Sequence, residues 1–279
     1  MAIKTMYITN QPEIAKIAEK NTVDRIWVDL EIRNKLERQG GMDTVISNHA
    51  ITDVNIVKEA LTTAKLLVRV NPISDGMRSE VNEVIARGAD IVMLPMYETA
   101  DDAKRFIDAV DGRAKTMLLL ETIAAEKSLD EVLKLDGVDE VHIGMNDLHL
   151  QYHMHFMFEL LSNGKIEEIC KKIASAGIKF GFGGIAQLDQ GLLPARYILG
   201  EHYRLGSSMV ILSRSFVHHH LMNDTRLAEQ EFGDGMRMMR DYEAWLQKQP
   251  KEFFEENSKR VKETVKRLAS SETCGGNMQ

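Results

Sequence analysis

Short runs of β-branched and leucine residues recur along the chain, and most of them are followed by a helix-length amphipathic segment. Eight runs have this character: Met6–Thr9, Arg25–Glu31, Leu66–Asn71, Ile91–Met96, Thr116–Thr122, Glu140–Met145, Lys179–Gly184 and Tyr203–Ile211. Regular alternation of strands and helices predicts a parallel sheet with helical crossovers. The runs are almost continuously apolar, which is typical of parallel strands buried on both faces.

Eight strand–helix units in about 210 residues predict a (β/α)8 barrel, or TIM barrel, over residues 1–212. An open doubly wound sheet is the alternative, but the strand count and the lack of a glycine-rich turn after the first strand weigh against it. Residues 213–270 are predicted to form a helical C-terminal extension, and 271–279 a flexible tail. The amphipathic helix Lys251–Ser270 has two open interpretations: it closes the barrel, or it packs on a neighbouring subunit.

Composition narrows the class of protein without indicating a function. The 279 residues are 44% hydrophobic and 28% charged, close to the globular average. The net charge of −7 argues against a nucleic-acid partner. No apolar run reaches the roughly 18 residues of a membrane span, and the first residues lack the apolar core of a secretory signal. Two cysteines make no disulfide framework. We therefore expect a cytoplasmic protein without a membrane partner.

Polar side chains follow several predicted strands at their carboxyl ends, which form the active-site face of such a barrel. The acids are Asp29, Glu31, Glu121 and Asp147, and Arg69 is the one arginine among them. Glu121 and Asp147 offer the oxygen ligands that Mg²⁺ or Mn²⁺ prefers. The planar guanidinium of Arg69 suits a substrate carboxylate. Helix caps or salt bridges remain the alternative interpretation of both acids.

Five motifs occur in order at these strand ends: DLE at 29–31, RVNP at 69–72, GADIVMLPM at 88–96, LLLET at 118–122 and GVDEVHIGMNDL at 137–148. In this combination the chain resembles the HpcH/HpaI aldolase and citrate lyase β-subunit family, from about Arg25 to about Met209. The resemblance implies a (β/α)8 barrel that makes or breaks carbon–carbon bonds through a metal-bound, pyruvate-like or acyl-CoA enolate.

The resemblance also implies roles for individual residues. Glu121 and Asp147 correspond to the metal ligands, with Mg²⁺, Mn²⁺ or another divalent cation, and Arg69 to the arginine that contacts the substrate. The amides of Gly144, Met145, Asn146 and Asp147 correspond to the loop that binds the carboxylate. Pro95 and Met96 correspond to a strand-four loop that lines the pocket.

One feature departs from the aldolase branch, in which a histidine directly follows the acidic motif of strand two. Here DLE is followed by IRNKLERQGG, and His49 comes 18 positions after Glu31. Two interpretations stay open: His49 enters the site, or it lies on a surface loop. The loop Ile32–Asn48, with Arg33, Lys35 and Arg38, is closer to the citrate lyase branch and either contacts an acidic substrate or is solvated.

Two further patterns are weaker. His149, His153 and His155 have a spacing that permits a zinc site, although no HExxH motif is present. GFGGIA at 181–186 formally matches a dinucleotide fingerprint, but at strand seven it suits a close approach to a phosphate better.

The predicted function is a divalent-metal-dependent carbon–carbon lyase, an aldolase acting on a 2-oxo acid through a metal-stabilised, pyruvate-like enolate. His49, a metal-bound water or Glu31 serves as the base. The alternatives are a citrate-lyase-like acyl-CoA lyase and a non-catalytic barrel that serves as an assembly or binding subunit. The expected partners are a small 2-oxo acid or acyl-CoA substrate and further copies of the chain, as a trimer or hexamer.

Overall fold

The eight predicted runs form one closed parallel barrel in a computed structural model, which describes residues 2–32, 49–213, 216 and 224–275, with side chains as far as 270. Strand neighbours follow chain order, and β8 pairs with β1. The strands are β1 (Lys4–Ile8), β2 (Arg25–Asp29), β3 (Lys65–Arg69), β4 (Ile91–Leu94), β5 (Lys115–Leu120), β6 (Glu140–Ile143), β7 (Lys179–Ile185) and β8 (Met209–Leu212). The predicted (β/α)8 barrel is therefore confirmed.

Helices surround the barrel, and local sequence signals set several of their ends. They are α1 (Pro12–Lys20), α2 (Asp53–Ala60), α3 (Met77–Ala86), α4 (Ala100–Val110), α5 (Ile123–Val132), α6 (Met145–Gln151), α7 (Glu159–Ser162), α8 (Lys165–Ser175), α9 (Ala195–Leu205), α10 (Thr225–Leu246) and α11 (Lys251–Gly275). Pro12 starts α1, where its missing N–H costs no hydrogen bond. Thr99 and Asp102 form a capping box at the start of α4.

Alternate side chains of each strand enter two separate cores, because successive residues point to opposite faces of the sheet. The larger core lies between the sheet and the helices. The smaller core fills the barrel interior and consists of Met6, Trp27, Leu67, Ile91, Met93, Met117, Leu119 and Met209. The barrel interior is thus filled by side chains.

The last strand begins later than the sequence predicts. The predicted run started at Tyr203, whereas α9 continues through Leu205 and β8 covers Met209–Leu212. Gly206 has a φ of 74°, the left-handed conformation that commonly ends a helix. The prediction was wrong here because a short apolar run does not distinguish the end of a helix from a strand.

The C-terminal helix α11 packs on the barrel of its own chain. Asn257 is buried, and its Nδ2 donates to the carbonyl oxygen of Tyr197 at 3.0 Å and to Oε1 of Glu201 at 2.9 Å, both in α9. Val261 and Val265, one and two turns further on, are buried as well. These contacts agree with the interpretation in which the helix covers the barrel.

Helix α11 extends to Gly275, beyond the predicted boundary at residue 270, and residues 276–279 lie outside the described residues. The flexible tail therefore stays a prediction. Within the described part of the chain, none of the helices has the length and apolar character that crossing a membrane requires.

Candidate active site

Four charged side chains meet at the carboxyl end of the barrel: Asp29, Glu31, Arg69 and Glu121. Asp29 and Arg69 are the last residues of β2 and β3 and are register partners, while Glu121 directly follows β5. All four are buried, and the most exposed, Arg69, retains only 8% of its accessible surface. Since isolated buried charges are strongly disfavoured, their mutual contacts decide what the site can do.

Arg69 is held by two carboxylates. Its Nε and one terminal nitrogen donate to the two oxygens of Asp29 at 2.8 and 2.9 Å, and its other terminal nitrogen lies 3.1 Å from Oε2 of Glu31. The guanidinium also lies over the ring of Trp27, 5.1 Å from the ring centre. The forked edge of Arg69 is therefore occupied by Asp29, and only the remaining N–H groups of its terminal nitrogens are left for a substrate carboxylate.

The charge of Arg69 is secured by these neighbours. Burial by itself would lower the pKa of its guanidinium, but the carboxylates of Asp29, Glu31 and Glu121 outweigh that effect and raise the pKa above its ordinary value. Arg69 is thus a permanent cation among three buried carboxylates.

The surroundings of Glu121 oppose its ionisation. Its Oε1 accepts a hydrogen bond from the backbone N–H of Met96 at 3.0 Å. Burial raises the pKa of Glu121 well above its ordinary value, and the nearby charge of Asp147 raises it further, whereas Arg69 lowers it.

A glycine allows α6 to begin directly against Glu121. A Cβ placed on Gly144 would lie 2.7 Å from Cβ and 2.7 Å from Oε2 of Glu121. Residues 144–147, predicted as a loop, form the N-cap and first turn of α6. The amide of Gly144 donates to the carbonyl oxygen of Leu120 at 2.8 Å and so does not serve as an anion donor. The first-turn amides of Met145 and Asn146 have no intrahelical acceptor in an α-helix.

Pro95 and Met96 connect β4 to the site, where the sequence places them. Met96 has a φ of 52°, which is uncommon for a residue other than glycine. This conformation accompanies the hydrogen bond from its N–H to Glu121. Backbone strain of this kind persists where the surrounding structure enforces it, which is often at functional sites.

His49 lies against the end of β2. Its Nδ1 accepts a hydrogen bond from the backbone N–H of Asp29 at 2.9 Å, and the side chain is half-buried. When the neutral ring accepts at Nδ1, its proton is on Nε2. The structure therefore brings His49 against the backbone of Asp29, the residue whose carboxylate holds Arg69. The loop residues Arg33, Lys35 and Arg38 lie outside the described residues.

The carboxyl groups of Glu121 and Asp147 fit a hard divalent cation. Both supply oxygen donors, and the pKa of Glu121 is raised by burial and by the like charge of Asp147, a repulsion that a cation between the two groups would relieve. The described residues contain no group of three or more His, Cys, Asp or Glu side chains that could hold a metal ion. Two protein carboxylates with open positions are the pattern typical of Mg²⁺.

The weaker sequence patterns do not form a second site in the described part of the chain. His149 is buried, and its Nδ1 contacts the carbonyl oxygen of Met145 at 3.2 Å within α6, while His155 is exposed. In the glycine-rich end of β7, the carbonyl oxygen of Gly183 contacts Nε2 of His142 at 3.1 Å.

Comparison with known proteins places this geometry in a family. A model of the HpcH/HpaI aldolase/citrate lyase family matches residues 5–185. The chain belongs to this family. Comparison with curated protein sequences gives no significant match.

Several solved structures share the fold at low sequence identity. An HpcH/HpaI aldolase from Desulfitobacterium hafniense DCB-2 is 17% identical with a TM-score of 0.59, covering 82% of this chain and 91% of that one. A family protein from Burkholderia cenocepacia J2315 is 15% identical with a TM-score of 0.60, covering 82% and 93%. The citrate synthase SbnG is 12% identical with a TM-score of 0.60, covering 84% and 95%. At these identities the likeness establishes the fold.

Two residues of this HpcH/HpaI site were not singled out from the sequence. Asp29 was noted only as part of an acidic ring, but it is the main partner of Arg69; their positions at the ends of neighbouring strands were the available signal. The hydroxyl of Tyr97 is buried without a hydrogen-bond partner among the described residues. Burial and the charge of Glu121 raise the pKa of Tyr97 above its ordinary value. No local sequence pattern signals that Tyr97 lies near Glu121.

Proposed function

We propose that this HpcH/HpaI family member is a divalent-metal-dependent carbon–carbon lyase, an aldolase that acts on a 2-oxo acid. The observation that carries the proposal is that a buried cation, Arg69, and a buried carboxyl group, Glu121, lie at the same mouth of the barrel. A permanently charged, buried Arg69 lies within electrostatic reach of Glu121, whose ionisation is opposed by burial and by Asp147. Arg69 suits an anionic substrate, and Glu121 together with Asp147 suits a divalent cation.

Glu121 and Asp147 would hold the cation, with Mg²⁺ or Mn²⁺ as the expected ion. When bound, it supplies a Lewis acid that polarises the 2-oxo group of the substrate. The hydrogen bond from Met96 to Oε1 of Glu121 fixes the orientation of this carboxyl group, so that Oε2 is the oxygen nearer to α6.

Arg69 and the first turn of α6 orient the substrate. The carboxylate of a 2-oxo acid accepts hydrogen bonds from the terminal N–H groups of Arg69 that Asp29 leaves available, and from the amides of Met145 and Asn146. Asp29 and Glu31 prevent Arg69 from changing rotamer. We therefore assign Glu31 a positioning role, since its Oε2 is engaged with Arg69.

His49 supplies a hydrogen-bond donor in this proposal. With Nδ1 accepting from Asp29, the neutral ring has its proton on Nε2 and would donate a hydrogen bond to a reacting oxygen of the substrate. The proton that leaves the substrate hydroxyl is the one that the carbon gains when the carbon–carbon bond breaks, and a water molecule would carry it between the two, so that no net proton is consumed. The amide of Asp29 thus selects the tautomer of His49 while its carboxylate holds Arg69.

The test measures cleavage and metal binding together. We expect Glu121→Gln and Asp147→Asn to abolish Mg²⁺- or Mn²⁺-dependent cleavage of 4-hydroxy-2-oxo acids and the thermal stabilisation by the metal, with an unchanged circular dichroism spectrum. Asp136→Asn, an exposed carboxylate before β6, is the matched control and should behave like the parent.

The same measurements on the parent protein and these variants distinguish the alternative functions. Cleavage of acyl-CoA substrates in place of free 2-oxo acids would assign the chain to acyl-CoA lyase chemistry. Metal-dependent turnover that survived both carboxylate substitutions would refute the assigned metal ligands. Absence of metal binding and of turnover in the parent protein would support a non-catalytic barrel.

A further inference from the structure

The opposite, amino-terminal mouth of the barrel carries a second group of like charges, outside the site described above. The four odd-numbered strands each begin with a lysine, namely Lys4, Lys65, Lys115 and Lys179. Side chains of alternate strands form one layer inside a barrel of this kind. The strand register places these four positions at the same level, as an outermost layer that we call the lysine ring.

A cavity of about 630 Å³ opens at this mouth. Lys4, Lys65 and Lys115 line it, together with Arg25. Its volume lies within the range of about 300–1,000 Å³ found for small-molecule sites. Towards the barrel interior, Arg25 and Glu140 form a buried bidentate ion pair, in which the two terminal nitrogens of Arg25 donate to the two carboxylate oxygens of Glu140 at 2.5 and 2.7 Å. This pair has no net charge and closes the inner end of the cavity.

The carboxylates around the cavity are already engaged with the backbone. Asp24 accepts from the N–H of Thr5 at 2.9 Å, and Asp90 from the N–H of Leu66 at 2.8 Å. Glu19 accepts from three consecutive amides, those of residues 62–64. Asp90 also lies 2.6 Å from Nζ of Lys58, and Asp24 lies 3.4 Å from a terminal nitrogen of Arg240, so both carboxylates have cationic partners outside the lysine ring as well.

The lysines, in contrast, have few partners. In the part of the chain that the structure describes, Lys4, Lys115 and Lys179 have no carboxylate oxygen within 4.0 Å, and Lys65 lies 3.7 Å from Asp90. Burial lowers the pKa of Lys4, and the charges of Arg25, Lys179 and Lys115 lower it further, against an opposing effect of Glu140. The cations are therefore close enough to repel one another.

We propose that the lysine ring binds a compact oligophosphate group, such as inorganic pyrophosphate or tripolyphosphate or the same group on a small aliphatic molecule. Several ammonium groups around one concavity match the high, closely spaced charge of such a ligand. The side chains known to line the cavity include none that is aromatic, which disfavours the stacking of a nucleotide base there. Binding would replace repulsion among lysines by attraction to the ligand.

Isothermal titration calorimetry with inorganic tripolyphosphate tests this proposal. We expect one site per chain, with affinity that falls as salt is added. The single variants Lys4→Met and Lys115→Met should each bind tripolyphosphate about fivefold more weakly than the parent. The double variant should bind it about 25-fold more weakly. Lys127→Met, an exposed lysine on α5, is the matched control and should bind like the parent.

Three outcomes would overturn the proposal: no heat with tripolyphosphate at low salt, equal binding by the double variant and the control, or equal thermal stabilisation by sulfate at the same ionic strength. The proposal is independent of the aldolase assignment, because the two mouths lie at opposite ends of the barrel. Glu121→Gln should therefore leave tripolyphosphate binding unchanged, whatever its effect on turnover.

Discussion

Replacing Gly144 by alanine changes one atom at the contact between α6 and Glu121. The backbone of Gly144 has a φ of −79°, which alanine adopts without strain, so the effect is purely steric. The new Cβ would lie 2.7 Å from Cβ of Glu121, whereas carbon atoms pack at about 3.5–4.0 Å. Relief requires a separation of roughly 0.8 Å or more. Because the neighbour is a Cβ, no rotation of the Glu121 side chain removes the clash.

The start of α6 or the end of β5 must therefore move, and the carboxylate moves with it. A displacement near 1 Å at a reacting centre costs about 100-fold in rate. Overpacking of this kind also costs about 1–3 kcal/mol in the free energy of unfolding. We expect Gly144→Ala to fold, to lose about 100-fold in kcat/KM for 2-oxo acid cleavage, and to bind Mg²⁺ more weakly in a calorimetric titration.

Gly76→Ala provides the matched control. Gly76 is the N-cap of α3, on the same side of the barrel, and the nearest atom to its added Cβ is Oγ of Ser74 at 3.9 Å. It should keep the activity and metal affinity of the parent. If Gly144→Ala matched this control within twofold in both measurements while remaining folded, the contact between Gly144 and Glu121 would have no part in the site.

Three further predictions concern other buried ionisable side chains. Asp29→Asn should lower kcat/KM for a 2-oxo acid about 10- to 100-fold through a raised KM, because the guanidinium of Arg69 loses one of its two charged partners. An unchanged KM in steady-state kinetics would contradict this prediction. Arg25→Met should lower the free energy of unfolding in urea by about 3–5 kcal/mol, because it leaves the buried Glu140 unpaired. Replacing both Arg25 and Glu140 by apolar residues should leave that free energy nearly unchanged. Equal losses in the single and the double variant would refute the reasoning. Burial lowers the pKa of His142 to about 4 and that of His202 to about 3. In the unfolded chain both histidines have the ordinary pKa near 6.5, so below that pH they take up protons there while they stay neutral in the folded protein. Stability should thus fall as pH decreases from about 6.5 towards 4, by about 1.4 kcal/mol per pH unit for each histidine, and His202→Leu should halve that slope.

The barrel itself was predictable from local patterns. Buried parallel strands require continuous apolar runs, and runs such as Leu66–Asn71 stand out among polar connections. Helix ends were readable where a side chain carries the signal, as at Pro12 and Thr99. The start of β8 was missed because Tyr203 lies in an apolar segment whose state depends on where Gly206 ends the preceding helix.

The sequence alone also identified the polar residues at the strand ends, since chain order and the barrel fold bring those ends to one mouth. Which of them contact one another was decided by the tertiary structure. Strand register sets Asp29 beside Arg69, and the absence of a side chain at Gly144 admits α6 against Glu121. His49 reaches Asp29 across 20 residues of chain. Such contacts depend on distances between separate segments, and no local pattern of residues encodes those distances.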